Sequence, residues 1–358
     1  VVRSPINFSP VELRFAAPMG GNDDILTTID QHLIRLKSNK NSGYYQSINL
    51  WIEGVNKLVL PKWMSPLWTL LIIVFIILVI AGFNIILQWQ VRVKTEALRT
   101  TIEAKEKIEG ELRVASTIQM DLLPKNFPPF PDRLEFDIYA VIEPAKEVGG
   151  DLYDFFLIDA NHLCFIIGDV SDKGVPAALF MARTKTLIET IATQKSKSNE
   201  ILNIVNQNLS VNNDSMMFVT LICAILTIDT GKVGYTVAGH NPPILISKNK
   251  QPEYLSNTGD TALGIFEDIQ YKSNELILNP GDTIFLYTDG VTEAFNAQHQ
   301  EYSESRLLAD ISCDSGKNVN ILTKNILKKV KEFSELVPQS DDIAIITLQY
   351  KPDKRYGS

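Results

Sequence analysis

Between residues 63 and 91 the chain carries no charged side chain, and residues 67–87 are mostly Leu, Ile, Val and Phe. A helix over those 21 residues would be about 31 Å long, enough to cross the hydrocarbon core of a bilayer. A buried helix of a soluble domain is the competing reading, but such helices seldom run so far without a charge. Trp63 and Trp68 at one end and Trp89 at the other suit interfacial anchoring. Lys57 and Lys62 precede the run, whereas Arg92, Lys94, Arg99, Lys105 and Lys107 follow it. The positive-inside bias therefore predicts a single-pass protein of the cell (inner) membrane whose C-terminal part is cytoplasmic.

This segment divides the chain into expected parts. Residues 1–62 precede the membrane segment 63–91, a helical linker follows over 92–123, and a catalytic domain over 132–350. The chain starts Val1-Val2, with no initiator Met or signal peptide, which suggests a piece of a longer product. Before the membrane, residues 11–16 read as a short strand. Residues 24–37 read as an amphipathic helix with Ile25, Ile29, Leu33 and Leu36 on one face. In the linker, a 3/4 spacing joins Val91, Lys94, Leu98, Thr101, Lys105, Ile108, Leu112, Ala115, Gln119 and Leu122, and only six of these ten are apolar. A shifting parallel coiled coil, and hence a homodimer, fits that uneven seam; a solvated single helix is the alternative. Pro124, Pro128, Pro129 and Pro131 then end the helix.

Past the prolines, apolar runs at 134–142, 152–157, 163–170, 218–228, 233–238, 276–278, 283–288 and 343–349 read as strands. Helices are expected at 175–193, 199–210, 305–311 and 319–336. Three of the strands end or begin on an acid, in Gly168-Asp169-Val170, Thr288-Asp289-Gly290 and Ser340-Asp341-Asp342. One strand-end Asp is ordinarily a turn or cap residue. Several converging ones form a site for hard divalent cations. Gly149-Gly150-Asp151-Leu152-Tyr153-Asp154 adds a fourth acid, preceded by glycines that admit close backbone approach.

Together with Ala238-Gly239-His240-Asn241-Pro242-Pro243 and the acidic run Tyr287-Thr288-Asp289-Gly290-Val291-Thr292-Glu293-Ala294, these motifs resemble the RsbU/SpoIIE branch of the PPM, or protein phosphatase 2C-like, phosphatases. The resemblance extends from about residue 115, where Ala115-Ser116-Thr117-Ile118-Gln119 looks like that family's entry segment, to residue 350. It implies an α/β (α+β) domain, an αββα sandwich of the PPM type. It also implies a metal-dependent protein serine/threonine phosphatase using two Mn²⁺ or Mg²⁺ ions, with a STAS-type regulatory phosphoprotein as substrate. By resemblance Asp169 would bridge both ions, the Val170 carbonyl would bind one, and Asp289 and Asp341 would complete the other. Asp151 would lie beside the pair as a second catalytic carboxylate. Asp342, Lys173, Gly174 and His240 are further candidates. His240 could be a general acid or a packed turn residue, Lys173 and Gly174 could face phosphate or simply cap a helix, and Glu293 reads as structural. The family usually has Gly where this chain has Asp172, and Thr where it has Ala344. More weakly, residues 9–16 with Tyr44-Tyr45-Gln46-Ser47 are similar to the end of periplasmic solute-binding-like sensor domains.

Two other functions compete. A diguanylate cyclase is suggested by Gly149-Gly150-Asp151 but lacks the Glu-Phe pair that should follow, and it leaves Asp289 and Asp341 without a task. A degenerate phosphatase fold used as a docking platform conflicts with the full set of acids. Cys164, Cys223 and Cys313 have no zinc-ligand spacing, and a net charge of −8 without a basic block argues against nucleic acid.

Overall fold

The computed structural model describes residues 23–52, 66–248, 250–256 and 259–351. The expected strand at 11–16, the lysines Lys57 and Lys62, and Trp63 lie outside them. The chain divides into two units, Val1–Thr95 and Glu96–Ser358.

In the first unit, helix α1 (Asp23–Ser38) carries Asp23 and Asp24 in its first turn and Arg35 and Lys37 in its last, the charge order that favours the helix dipole. A turn leads into helix α2 (Gly43–Ile52), which had no counterpart among the expected elements. Helix α3 (Pro66–Asp121) begins on a proline, which a first turn tolerates, and runs without a break through the apolar segment and the linker. It is the one helix among the described residues long and apolar enough to cross a membrane. Leu70, Phe75, Ile80, Phe83 and Ile85 on it are all more than half exposed.

The second unit holds two antiparallel five-stranded sheets. Strands β1 (Phe136–Glu143), β2 (Leu152–Leu157) and β3 (His162–Val170) are followed by helices α4 (Val175–Ala192) and α5 (Ser198–Ser210). Then come β4 (Val219–Thr227), β5 (Lys232–Ala238), β6 (Ile244–Ile246), β7 (Glu253–Tyr254), β8 (Asn274–Ile277) and β9 (Thr283–Tyr287). A 3-10 turn (Asp289–Val291), helices α6 (Glu304–Asp314) and α7 (Val319–Phe333), and strand β10 (Ile343–Tyr350) complete it. One sheet has the order β1-β10-β9-β6-β7 and the other β2-β3-β4-β5-β8.

Alternation along the strands produces the layers. On β3, Leu163, Phe165 and Ile167 point between the sheets, while Cys164 and Ile166 point toward α4 and α5. On β10, Ala344, Ile346 and Leu348 enter the central layer, and Ile343 and Ile345 face α6 and α7. The result is the expected αββα sandwich. Each fully buried Leu, Ile or Phe in it contributes about 1.5–3 kcal/mol relative to exposure. Buried hydroxyl pairs tie each helix layer to its sheet, Ser198 with Thr236 at 2.8 Å and Thr323 with Thr347 at 2.7 Å. One charged pair is also buried there: Asp154 on β2 meets Lys185 on α4 at 2.9 Å. Burial still pushes the Asp154 carboxyl up to about 6.

Candidate active site

The acids singled out from the sequence sit at one end of the sandwich, because antiparallel pairing sets the end of one strand beside the start of the next. Leu152, next to Asp151, pairs with Gly168, next to Asp169. Across the other sheet, the end of β9 lies by the start of β10, Tyr287 opposite Ile345, so Asp289 and Asp341 flank the same edge. The charge effects of neighbouring carboxylates on Asp151, Asp169 and Asp289 register this convergence. Asp151 is 2% exposed, and burial, then Asp169 and Asp342, hold its carboxyl well above the usual range. Asp169 is pushed up to about 7 by burial, with Asp289 and Asp341 adding to it. Asp289 is raised by burial and by Asp341.

The backbone around them is fixed by hydrogen bonds and close approaches within the fold. The Asp342 carboxylate accepts the Gly150 N–H at 2.7 Å through Oδ2 and the Ala145 N–H at 2.7 Å through Oδ1. That binds the loop before β2 to the start of β10. Thr288 donates to Asp151 Oδ2 at 2.7 Å and accepts the Ala344 N–H at 2.8 Å. A Cβ on Gly150 would stand 2.7 Å from the Val170 carbonyl oxygen, and one on Gly290 would overlap the Asp342 carbonyl. Both positions therefore need glycine for close approach. Gln119, the buried residue of α3, donates to the Gly149 carbonyl at 2.6 Å and accepts the Gly149 N–H at 3.2 Å. Thr288 and Gln119 had not been singled out as site residues. For Gln119 the available signal was a polar residue on the more apolar end of the linker seam.

His240 is 3% exposed and joins the two sheets. Its Nε2 donates to the Tyr287 carbonyl at 3.0 Å, and Nδ1 accepts from the Thr220 hydroxyl at 2.8 Å. Burial lowers it to about 4, and both ring nitrogens are engaged within the fold. Lys173 pairs with Asp341 at 2.8 Å and donates to the Ser340 carbonyl at 2.7 Å. Gly174 is the N-cap of α4, with φ of 90° and no side chain to cap it. Asp172, where Gly is usual, has φ of 70° and accepts the Lys173 N–H at 2.8 Å. A left-handed backbone favours Gly, and the local hydrogen bond is what lets Asp adopt it here.

Among the described residues, no group of three or more Asp, Glu, His or Cys is drawn around one point closely enough to hold an ion as it stands. The donor set nonetheless fits hard divalent cations: oxygen ligands only, partly buried, repelling one another, and paired with a single lysine.

Residues 159–351 match the family model described as Stage II sporulation protein E (SpoIIE). The chain belongs to the SpoIIE family. RsbU of Bacillus subtilis (strain 168), a phosphoserine phosphatase, is 30% identical over 252 residues, covering 69% of this chain and 72% of RsbU. Protein IcfG of Synechocystis sp. is 29% identical over 285 residues, covering 69% of this chain but 43% of IcfG. This chain thus spans less than half of one SpoIIE relative and nearly three quarters of the other. The SiaA-PP2C domain of Pseudomonas aeruginosa shares the fold with a TM-score of 0.62 at 21% identity, over 69% of this chain and 99% of that domain.

Proposed function

We propose that this SpoIIE-family chain is a membrane-bound, metal-dependent protein serine/threonine phosphatase acting on a phosphorylated STAS-type regulator. The observation that carries the reading is the convergence of Asp151, Asp169, Asp289 and Asp341 at one edge of an αββα sandwich, where, among the described residues, Lys173 is the one cationic side chain that pairs with them. Asp169, Asp289 and Asp341, with the Val170 carbonyl, would hold two Mn²⁺ or Mg²⁺ ions. Such ions, when bound, offset the charge of a phosphomonoester and activate water. The chain's own groups supply the rest. Asp342 and Thr288 hold the backbone and the Asp151 carboxylate in place, which keeps a second carboxylate buried beside the ligands to orient water. The Gly150 close approach keeps the Val170 carbonyl against the loop carrying Asp151.

Support for a phosphoserine substrate comes from the 30% identity to RsbU. The membrane placement is supported by helix α3, whose apolar residues are exposed and whose flanking charges favour a cytoplasmic catalytic domain. We assign 1–62 to the end of an extracytoplasmic sensor, 63–91 to the span, 92–123 to a linker that pairs with a second copy, and 132–350 to the phosphatase. The test is a comparison of phosphorylated STAS proteins, phosphoserine peptides and small phosphometabolites as substrates of the full chain with Mn²⁺. Faster release from the STAS protein is expected. Efficient turnover of a phosphometabolite with the phosphoproteins untouched would refute the substrate class.

A further inference from the structure

Among the described residues, Asp341 is the one member of the set Asp151, Asp169, Asp289 and Asp341 that forms an ion pair, with Lys173 at 2.8 Å. Lys173 also donates to the adjoining Ser340 carbonyl at 2.7 Å, so two acceptors on the same loop fix its ammonium over the acidic edge. Its charge reaches Asp342 and Asp169, and it opposes the rise in the Asp289 and Glu293 carboxyls. Among the described residues, no other lysine or arginine forms an ion pair with Asp151, Asp169, Asp289 or Asp341. The Lys173 side chain is 32% exposed and that of Asp341 31% exposed, so the pair lies at the mouth of the site with room for the flexible stem to turn. It is also anchored directly before Gly174, from which α4 starts.

We infer that Lys173 is an exchangeable counter-ion: it occupies Asp341 when no divalent cation is bound, yields that carboxylate to an incoming cation, and then pairs with the phosphate of the substrate. This rests on the phosphatase reading for its second half only. The physical reason is that one carboxylate oxygen cannot serve an ammonium at hydrogen-bond distance and a divalent cation together without bringing like charges close. A cation that takes Asp341 Oδ1 displaces Lys173, and the freed ammonium stays on the acidic edge, where a dianionic phosphoryl group would need a positive partner. A point charge on a flexible stem suits such a change of partner better than a fixed guanidinium fork.

The test uses the full chain in detergent or nanodiscs, comparing wild type with Lys173→Met and Lys173→Arg. Calorimetric Mn²⁺ titration without substrate reads the exchange. Lys173→Met should bind Mn²⁺ about tenfold more tightly, because the resident competitor is gone, and its metal-free melting temperature should fall while its Mn²⁺-loaded one does not. Inhibition of aryl-phosphate hydrolysis by inorganic phosphate reads the second half; it should weaken about tenfold in Lys173→Met and recover in Lys173→Arg. Unchanged or weaker Mn²⁺ binding in Lys173→Met, or no Mn²⁺ binding by the wild type, would overturn the exchange. Unchanged phosphate inhibition would overturn the phosphate contact. Tighter Mn²⁺ binding in Lys173→Met with no hydrolysis by any variant would uphold the exchange and remove the phosphatase reading instead.

Discussion

Burial sets the protonation behaviour of His240. Neutral in the fold down to about pH 4, against an ordinary value of 6.5, it takes up a proton in the unfolded chain first. Its contribution to stability is therefore complete above pH 6.5 and is lost as pH falls from there toward 4, by at most about 3 kcal/mol. Other buried groups titrate in the same window, so the difference between wild type and His240→Gln isolates it. That difference, from urea unfolding followed by far-ultraviolet circular dichroism, should shrink or change sign as pH falls from 7 to 4; a pH-independent difference would contradict the neutral bridge. Asp172 gives a second residue-scale prediction. With φ of 70°, Asp172→Gly should leave the melting temperature unchanged or raise it, while Asp172→Val should cost about 1–2 kcal/mol. Equal effects of the two substitutions would show that backbone conformation is not what sets that position. The place of Asp169 at the end of an apolar strand was legible in the sequence, whereas the contacts of Asp342 were not. Only the pairing of β10 with its neighbours brings its carboxylate to the Gly150 and Ala145 N–H groups, 192 and 197 residues away in sequence.

Among the elements, the strands with clean alternation were readable to within a residue or two. Strands β6 and β7 were not: they have three and two residues, and β6 becomes a strand by pairing with β9, far along the chain. The last turns of helix α3 pack against the sandwich. The proposed seam includes Leu112, Ala115 and Gln119, yet these are turned at least partly inward, while Val114 and Ile118 on another face are each 61% exposed. The end of the helix is thus engaged with its own sandwich domain through Gln119 and Gly149, two residues before Asp151. Gln119→Leu should remove both hydrogen bonds, leave Gly149 unpaired at a cost of about 1–3 kcal/mol, and loosen the loop that carries Asp151. The expected result is a kcat reduced about tenfold with little change in KM for an aryl phosphate. A kcat equal to wild type would show that α3 only abuts the domain.

At the scale of the molecule, one unbroken helix joins an apolar span to a residue that touches the acidic loop. One residue inserted next to Gly110 should turn Gln119 by about 100° relative to the span, so that activity in vesicles changes, whereas phosphatase activity identical to wild type would make the linker a tether. The layered domain could be foreseen because local alternation and long-range pairing agree; the α3 contact could not, because it depends on a helix face meeting a loop thirty residues on. All of these effects presuppose catalysis at the carboxylate edge. The most direct test is release of phosphate from a phosphoserine protein by the full chain in lipid vesicles, with Mn²⁺ supplied or chelated, for wild type and Asp169→Asn. Turnover that requires Mn²⁺ and falls by at least about a hundredfold in Asp169→Asn is the predicted result, since a charged ligand is lost from the cation site. Full turnover by Asp169→Asn, or hydrolysis indifferent to chelation, would contradict it.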